Sequence, residues 1–336
     1  MNTPNNRDGS IDSLRGLSII LVVMYHYTFH YDQNYLFFNN EKITIFSSGW
    51  IGVDIFFLVS GYCIAMTIQK SQNFYLFITR RFSRLYPAYF FCGFITIIFY
   101  YYFSLPGREV DLYTGIMNLF LLNFIPGLNY TYIDGIYWAL AVEAKFYICF
   151  GLIYFLNKTK IRSIYYFFIF CLLGNLVSRY DKNFLTFIFS IFPHANIFLL
   201  GICIYYKKKL NNNFLYIMVI FQIFSLYINE RYEGVFLLLL FFLILSSMVL
   251  LNKIRFNIIV LKNIGLYSYA WYLIHNAVGI IVIRELNILG LNQISIPLAI
   301  AFTLMLATFI FYIIEKPFKL LLLTIFDKIY QFKKIK

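Results

Sequence analysis

The sequence is poor in charge: Lys, Arg, Asp and Glu make up 13% of its 336 residues, whereas 61% are apolar or aromatic. Soluble globular domains average about 25% charged residues, and that charge keeps their surfaces solvated. The deficit excludes a soluble enzyme and a disordered chain, and it favours lipid as the solvent of this protein. Since ten membrane spans take roughly 200 residues, too few remain for a large soluble head domain.

Two patterns typical of other protein classes are also missing. None of the five cysteines stands in a CxxC or Cys/His spacing, and all of them lie in apolar runs. We interpret them as buried, inert thiols and expect no metal site. The chain shows no internal repeat of its spans, and no helices broken by Gly or Pro at matching positions in two halves. This absence weighs against the inverted-repeat transporters.

The apolar runs predict the fold class. Ten candidate transmembrane helices cover approximately residues 14–31, 50–69, 85–104, 137–156, 163–180, 184–205, 213–229, 234–251, 264–283 and 295–314. We therefore predict an all-α, polytopic membrane bundle of about ten transmembrane helices in a single domain, 1–336. Its core covers about 12–318, and a basic cytoplasmic tail covers 319–336. The short apolar segment 112–125, in the long loop 105–136, is interpreted as re-entrant or interfacial.

The basic residues predict the orientation of the bundle. If the N-terminus is cytoplasmic, 21 Lys and Arg residues lie on the cytoplasmic side, six lie on the opposite side and Lys145 falls within a span. This bias follows the positive-inside rule, so both termini are predicted to face the cytoplasm. Topology thereby explains most of the net charge of +13, and nucleic-acid binding is not needed to account for it.

Ionisable residues inside the predicted spans mark a candidate site, because a charge at mid-membrane costs about 2.5–3.5 kcal/mol unless partners or water offset it. Arg15 and His26 are eleven residues apart on the first span. That spacing places them on nearly the same helix face and about 16 Å apart in depth. Asp54, Glu143 and His275, on the second, fourth and ninth spans, are predicted to lie near the layer of His26.

These groups are suited to acid–base chemistry. A carboxylate, Asp54 or Glu143, that hydrogen-bonds one nitrogen of His26 would fix the tautomer of the ring and raise the basicity of the other nitrogen. Such a ring is a general base for a hydroxyl group. Two plainer interpretations stay open: Glu143 can be neutralised by Lys145 near an interface, and a buried histidine can simply be hydrogen-bonded within a bundle.

The third span carries a second candidate group near its predicted cytoplasmic end. Arg81 and Arg84 are one helical turn apart, and Arg80 flanks them. Guanidinium groups at that spacing suit bidentate binding of phosphate oxygens. The alternative is that these arginines only mark a cytoplasmic flank, which attracts basic residues in any membrane protein.

At this point the chain resembles the membrane-bound acyltransferase family 3, which includes bacterial O-acetyltransferases of surface polysaccharides. The matching motifs, in the family's order, are Asp12-x-x-Arg15-Gly16 followed by His26, Gly52-Val53-Asp54-x-Phe56-Phe57-x-x-Ser60-Gly61, Arg81-x-x-Arg84 before Leu85-Tyr86-Pro87, and Trp138-x-Leu140-x-Val142-Glu143-x-x-Phe146-Tyr147. Weaker similarities are Ser268-Tyr269 through His275 and the closing Glu315-Lys316-Pro317-Phe318. Ala139 departs from the pattern, because the family often has Ser at that position.

The resemblance implies a ten-helix core in the bacterial cytoplasmic membrane. That core transfers an acyl group, usually acetyl from cytoplasmic acetyl-CoA, to a saccharide hydroxyl outside the membrane or on a lipid-linked sugar, as in lipopolysaccharide or capsule modification. His26 is implied as the catalytic residue, with Asp54 or Glu143 supporting it. The arginines implied for donor binding are Arg15, Arg81 and Arg84. Residues interpreted as acceptor contacts or supports are Asp12, Ser60, Trp138 and His275.

Two functions of other classes remain as alternatives at this stage. A transporter or flippase of a sugar or lipid-linked sugar could use the same buried charges as a translocation path. It would move its substrate without consuming acetyl-CoA. A structural subunit of a polysaccharide machine is the other alternative, and it would hardly depend on His26.

Overall fold

A computed structural model describes residues 9–31, 44–103, 105, 108, 110–125, 131–177, 192–211, 213–214, 216–221 and 257–335. Every regular element in these ranges is helical. The helices are α1 (Gly9–Tyr25), α2 (Ile51–Gln69), α3 (Phe74–Tyr102), α4 (Leu112–Leu119), α5 (Trp138–Leu156), α6 (Arg162–Val177), α7 (Phe192–Tyr206), α8 (Ile259–Ile288), α9 (Asn292–Ile310) and α10 (Lys316–Ile335). The prediction of an all-α chain is confirmed for the described residues.

Five stretches of the described chain are long and apolar enough to cross a membrane. They are Ile51–Gln69, Phe74–Tyr102, Gly135–Leu156, Ile259–Ile288 and Asn292–Phe332. The predicted span 234–251 and most of 213–229 lie outside the described residues. The count of ten spans and the cytoplasmic position of both termini therefore stay predictions.

Helix α8 is the most deeply buried of these five stretches and forms the centre of the bundle. Its N-terminal part crosses α1 with almost no space between the two backbones. A Cβ atom on Gly265 would lie 1.8 Å from the carbonyl oxygen of Asp12, and one on Gly16 would lie 2.0 Å from the carbonyl oxygen of Leu261. Only glycine fits at these two positions, so the crossing fixes how α1 and α8 are aligned.

Two π-helical turns continue the regular helices. The first, His26–His30, follows α1 without a break, and the second, Phe311–Glu315, joins α9 to α10. Turns of this kind are frequent at functional sites, because the extra residue re-aims the side chains that follow it. The first of them begins at the histidine that the sequence analysis selected.

The third predicted span, 85–104, begins too late. Helix α3 begins at Phe74, where the side chain of Asn73 accepts a hydrogen bond from the Leu76 amide at 2.9 Å. Arg81 and Arg84 therefore lie inside the helix instead of before it. A charge inside a span is costly unless it has partners, and Arg81 is buried here with the carbonyl of Cys63 as its partner.

The segment interpreted as re-entrant or interfacial forms a short helix, α4, which is capped by Asp111 and packs on α3. Asn118 is buried near its end and links the loop that follows. The Asn118 side chain donates to the carbonyl of Thr131 at 2.8 Å and accepts from the amide of Ile133 at 3.2 Å. Tyr89 of α3 donates to the Asn118 carbonyl at 2.8 Å. The loop is thereby held against the bundle.

The C-terminal segment, predicted as a basic tail over 319–336, is helical as far as Ile335. Helix α10 lies along α3: Asn73 donates to the hydroxyl of Tyr330 at 2.8 Å, and the rings of Tyr75 and Tyr330 stack with centroids 6.0 Å apart. Rings of Phe82 and Phe326 also meet, at 6.2 Å. The segment is thus docked on the bundle through aromatic contacts.

Candidate active site

Two histidines from α1 and α8 meet in the centre of the bundle. His26 is the first residue of the π-helical turn after α1, and His275 is fully buried in the middle of α8. Their ring centroids are 5.0 Å apart, and His275 Nε2 lies 3.3 Å from His26 Nδ1. The structure therefore brings together the two imidazoles that the sequence placed at similar depth.

The hydrogen bonds of this pair define the tautomers of both rings. His26 Nδ1 lies 2.8 Å from the carbonyl oxygen of Val22, and His275 Nδ1 lies 2.8 Å from that of Tyr272. Because a carbonyl oxygen only accepts, each neutral ring carries its proton on Nδ1. His275 Nε2 then accepts a share of the His26 proton. The lone pair of His26 is on Nε2, which makes no hydrogen bond within the described residues.

The structure gives Nδ1 of His26 partners other than Asp54 and Glu143, and the predicted support of His26 by one of these carboxylates stays a prediction. Nδ1 of His26 is bonded to Val22 and His275, and the two carboxylates have other neighbours. Asp54 is fully buried, with one oxygen 3.9 Å from His194 Nδ1, and Glu143 accepts a hydrogen bond from Ser60. The physical reason is local, since a carbonyl one turn earlier on the same helix already lies within reach of Nδ1.

A cavity lies between α1, α2, α3, α5 and α8. Four residues that the sequence analysis selected line it: Arg15, Ser60, Arg84 and Glu143. Its other lining residues are mostly apolar: Val53, Phe56, Phe57, Val59, Cys63, Leu85, Ala139, Leu140, Ser268, Tyr269 and Tyr272. The cavity thus combines cationic side chains with a long apolar wall.

The cavity ends next to the histidine pair. The ring of Tyr272, which lines it, has its centroid 5.6 Å from that of His275 and 6.1 Å from that of Phe56. The Tyr272 hydroxyl donates to the carbonyl of Ile136 at 2.9 Å, which fixes the ring between the cavity and the histidines. One aromatic layer, Phe56 with Tyr272, therefore separates the arginine-lined cavity from His275.

The two arginines of α3 serve different spaces. Arg84 lines the main cavity, whereas Arg81 lines an apolar groove between α3 and α5. Arg81 is 3% exposed, donates to the carbonyl of Cys63 at 2.8 Å and lies 5.2 Å from the ring centre of Tyr147. The groove shares Leu85, Leu140 and Tyr269 with the cavity, so the two spaces are adjacent.

Glu143 is held by two hydroxyl groups. Ser60 Oγ donates to Oε1 of Glu143 at 2.5 Å, and the hydroxyl of Tyr147 donates to the same oxygen. Tyr147 is one turn after Glu143 on α5, and Ser60 comes from α2. The motif residues Ser60, Glu143 and Tyr147 are thus one hydrogen-bonded unit, which the sequence analysis did not predict.

His194 is a neighbour of the site that the sequence analysis missed. It lies on α7 beside Asp54, and its ring centroid is 4.9 Å from that of Trp138 and 5.4 Å from that of Phe57. Of the predicted residues, Asp54 and Trp138 therefore belong to this cluster instead of the His26 pair. The sequence could have pointed to His194, because histidine is rare in this chain and His194 is one of its four histidines.

A polar network secures the loop before α5 next to the histidines. Asp134 is buried and accepts hydrogen bonds from Asn276 Nδ2 at 2.5 Å and from the Ala277 amide at 2.9 Å. Burial raises the pKa of the Asp134 carboxyl above its ordinary value, although Arg108, 4.0 Å away, opposes the shift. Arg108 also donates to His30 at 3.3 Å. The network therefore reaches from α8, one residue after His275, to the π-helical turn of His26.

The fold and the site define a polytopic, all-helical membrane protein in which an imidazole pair adjoins a cation-lined cavity. The family model described as an acyltransferase domain, acyltransferase 3, matches residues 8–315. The chain belongs to this acyltransferase family.

Three curated relatives match parts of the chain. The peptidoglycan O-acetyltransferase OatA of Listeria monocytogenes serovar 1/2a is 30% identical over 159 residues, which are 41% of this chain and 23% of that protein. A Bacillus subtilis protein named "Putative peptidoglycan O-acetyltransferase YrhL" is 27% identical over 154 residues, which are 41% of this chain and 22% of its own length. "Putative membrane-bound transacylase BcsY" of Komagataeibacter xylinus is 37% identical over 87 residues, 25% of this chain and 18% of that one. The matched stretches thus span less than a quarter of each relative, and no solved structure matches the chain.

Proposed function

We propose that the protein is an integral-membrane O-acyltransferase of the bacterial cytoplasmic membrane. It moves an acyl group, in the simplest case acetyl, from cytoplasmic acyl-CoA to a hydroxyl of an extracytoplasmic or lipid-linked saccharide. Membership of the acyltransferase family supports the reaction type. A saccharide of the cell envelope as acceptor is supported by the peptidoglycan O-acetyltransferases among the relatives.

The proposed step is direct transfer. His26 Nε2 removes the proton of the acceptor hydroxyl as the oxygen attacks the thioester carbonyl carbon. The carbon–sulfur bond then breaks, and the proton held on His26 passes to the leaving thiolate. The products are an acyl ester and free CoA, and His26 returns to its neutral form. Arg15 and Arg84, which line the cavity, hold the nucleotide phosphates, and Arg81 lies in the adjacent groove.

The observation that carries this proposal is the tautomer of His26. Its Nδ1 proton is committed to Val22 and to His275, so the only available lone pair of the ring is on Nε2. A neutral imidazole with one free nitrogen, in a histidine pair that one aromatic layer separates from a cavity lined by Arg15 and Arg84, fits the role of a base for thioester transfer.

The test replaces His26 by Gln in the full chain and measures acetyl esters on the surface glycans of cells. We expect acetylation to be lost while the variant is inserted in the membrane at the normal level, because Gln cannot accept the hydroxyl proton. Retained acetylation would contradict the proposal, and so would transport of a saccharide without consumption of acyl-CoA. Acetyl trapped on His26 in the absence of acceptor would replace direct transfer by an acyl-enzyme route.

A further inference from the structure

The cavity wall between the arginines and the histidine pair carries few polar groups. Ser268 lines it, but its hydroxyl donates to the carbonyl of Gly265 at 2.9 Å within its own helix. Tyr269 and Tyr272 also line it, but their hydroxyls donate to the carbonyls of Leu85 and Ile136. Ser60 donates to Glu143, so the Glu143 carboxylate is the acidic acceptor that this lining offers to a ligand. Glu143 lines the same cavity as Arg84 and Tyr272.

One carboxylate oxygen of Glu143, Oε2, is available as a hydrogen-bond acceptor. Both of its hydroxyl donors, from Ser60 and Tyr147, use Oε1. Oε2 has no hydrogen-bond partner within the described part of the chain, and Glu143 is only half-buried on the cavity side. Since a carboxylate in a low-dielectric site is stable only with hydrogen-bond donors, a bound ligand is expected to supply one to Oε2.

The thiol arm of an acyl-CoA has the matching chemistry. Between its diphosphate and its sulfur it is a flexible chain of apolar carbon segments interrupted by secondary amides, whose N–H groups are donors. We propose that Glu143 Oε2 accepts the N–H of such an amide and so holds the thioester towards His26. This assignment rests on the proposed function, and it makes Glu143 a positioning residue instead of a proton-transfer partner of the imidazole.

The hydroxyl groups of Ser60 and Tyr147 keep the carboxylate in place for this contact. They come from α2 and α5, so the acceptor is oriented by two different helices before the donor enters. Preorganisation of this kind lowers the entropic cost of ordering a flexible chain. Arg84 then binds the phosphates of the acyl-CoA through its guanidinium, and Glu143 binds the amide through its carboxylate.

The test uses Glu143→Gln, Ser60→Ala and Arg84→Gln with three acetyl donors, namely acetyl-CoA, S-acetylpantetheine and an acetyl thioester without an amide. Release of free thiol is measured in native membranes, which hold the acceptor, and membranes with His26→Gln serve as the blank. S-acetylpantetheine keeps the amides but has no nucleotide. The three donors therefore separate phosphate binding from amide binding.

We expect Glu143→Gln to raise KM roughly tenfold to a hundredfold for both amide-containing donors, the range for a lost charge-assisted hydrogen bond. It should leave the amide-free thioester unaffected and the pH profile of kcat unchanged. Arg84→Gln should impair acetyl-CoA alone. Ser60→Ala should follow the Glu143 pattern with a smaller loss, which keeps the test decisive if Glu143→Gln fails to fold.

Three outcomes overturn this assignment. An equal loss with all three donors, or a shifted pH profile, would mean that Glu143 acts in proton transfer or in folding. Unchanged KM values for the amide-containing donors would mean that it does not contact the donor. If the wild-type chain turned over no donor faster than the His26→Gln blank, the proposed function itself would fail, and this outcome is recognised without any variant of Glu143, Ser60 or Arg84.

Discussion

Replacing His275 tests which imidazole is the base. His275 Nε2 accepts a hydrogen bond that His26 Nδ1 shares with the Val22 carbonyl, so His275 orients His26 without meeting the reacting atoms. A neutral hydrogen bond contributes about 0.5–1.5 kcal/mol, and the 3.3 Å contact is at the weak end of that range. We therefore expect His275→Leu to lower kcat by about twofold to fivefold.

In the same assay, acetyl transfer in native membranes, we expect a far larger effect for His26→Gln. Loss of a general base typically costs about 10²–10⁴ in rate. His275→Gln is the matched control, because its side-chain oxygen can still accept from His26 Nδ1, and it should stay close to the wild-type rate. A loss with His275→Leu as large as that with His26→Gln would refute the tautomer assignment and make His275 the base.

Three further substitutions test the framework. Gly265→Ala should destabilise the protein by about 1–3 kcal/mol and reduce activity, because the new Cβ would meet the Asp12 carbonyl oxygen at 1.8 Å. The loss of stability is measured by thermal unfolding in detergent. An unchanged melting temperature would contradict the close crossing of α1 and α8. Asp134→Asn should lower the free energy of unfolding by about 1–3 kcal/mol in the same assay. An amide has only one acceptor oxygen, so it cannot accept the hydrogen bonds from both Asn276 and Ala277 that the two carboxylate oxygens accept. An unchanged stability would argue against the network. Tyr330→Phe removes one half-buried hydrogen bond to Asn73, so it should lower stability by no more than about 1 kcal/mol and leave acetyl transfer intact. A loss of acetyl transfer would mean that α10 shapes the site.

Composition and spacing predict part of this architecture. The low charge predicts an all-helical membrane protein, and the interval between Arg15 and His26 predicts that they share a helix face about 16 Å apart in depth. The similar depth of His26 and His275 follows from counting residues along two spans. These features depend on the rise and period of a helix, which the sequence contains directly.

The partners of the site residues could not be predicted in the same way. The sequence pairs His26 with a carboxylate because such pairs are chemically plausible, yet the ring bonds a carbonyl of its own helix at Val22. Glu143 meets Ser60 from another helix, 83 positions earlier in the chain. Contacts of this kind depend on helix rotation about its axis, and the polar pattern of a nearly all-apolar span does not define that rotation.

The close crossing of α1 and α8 explains why the histidine pair forms at all. Gly16 and Gly265 mark the crossing, and each of them precedes its histidine, His26 or His275, by ten residues. The two helices run in the same direction from this crossing. Ten residues of helix rise by about 15 Å, so both rings lie at the same level. Beyond the histidines the helices are still in contact, since Tyr27 donates to the carbonyl of His275 at 2.8 Å. The crossing therefore fixes the number of residues between Gly16 and His26. Inserting or deleting one residue there would turn His26 by about 100° away from His275.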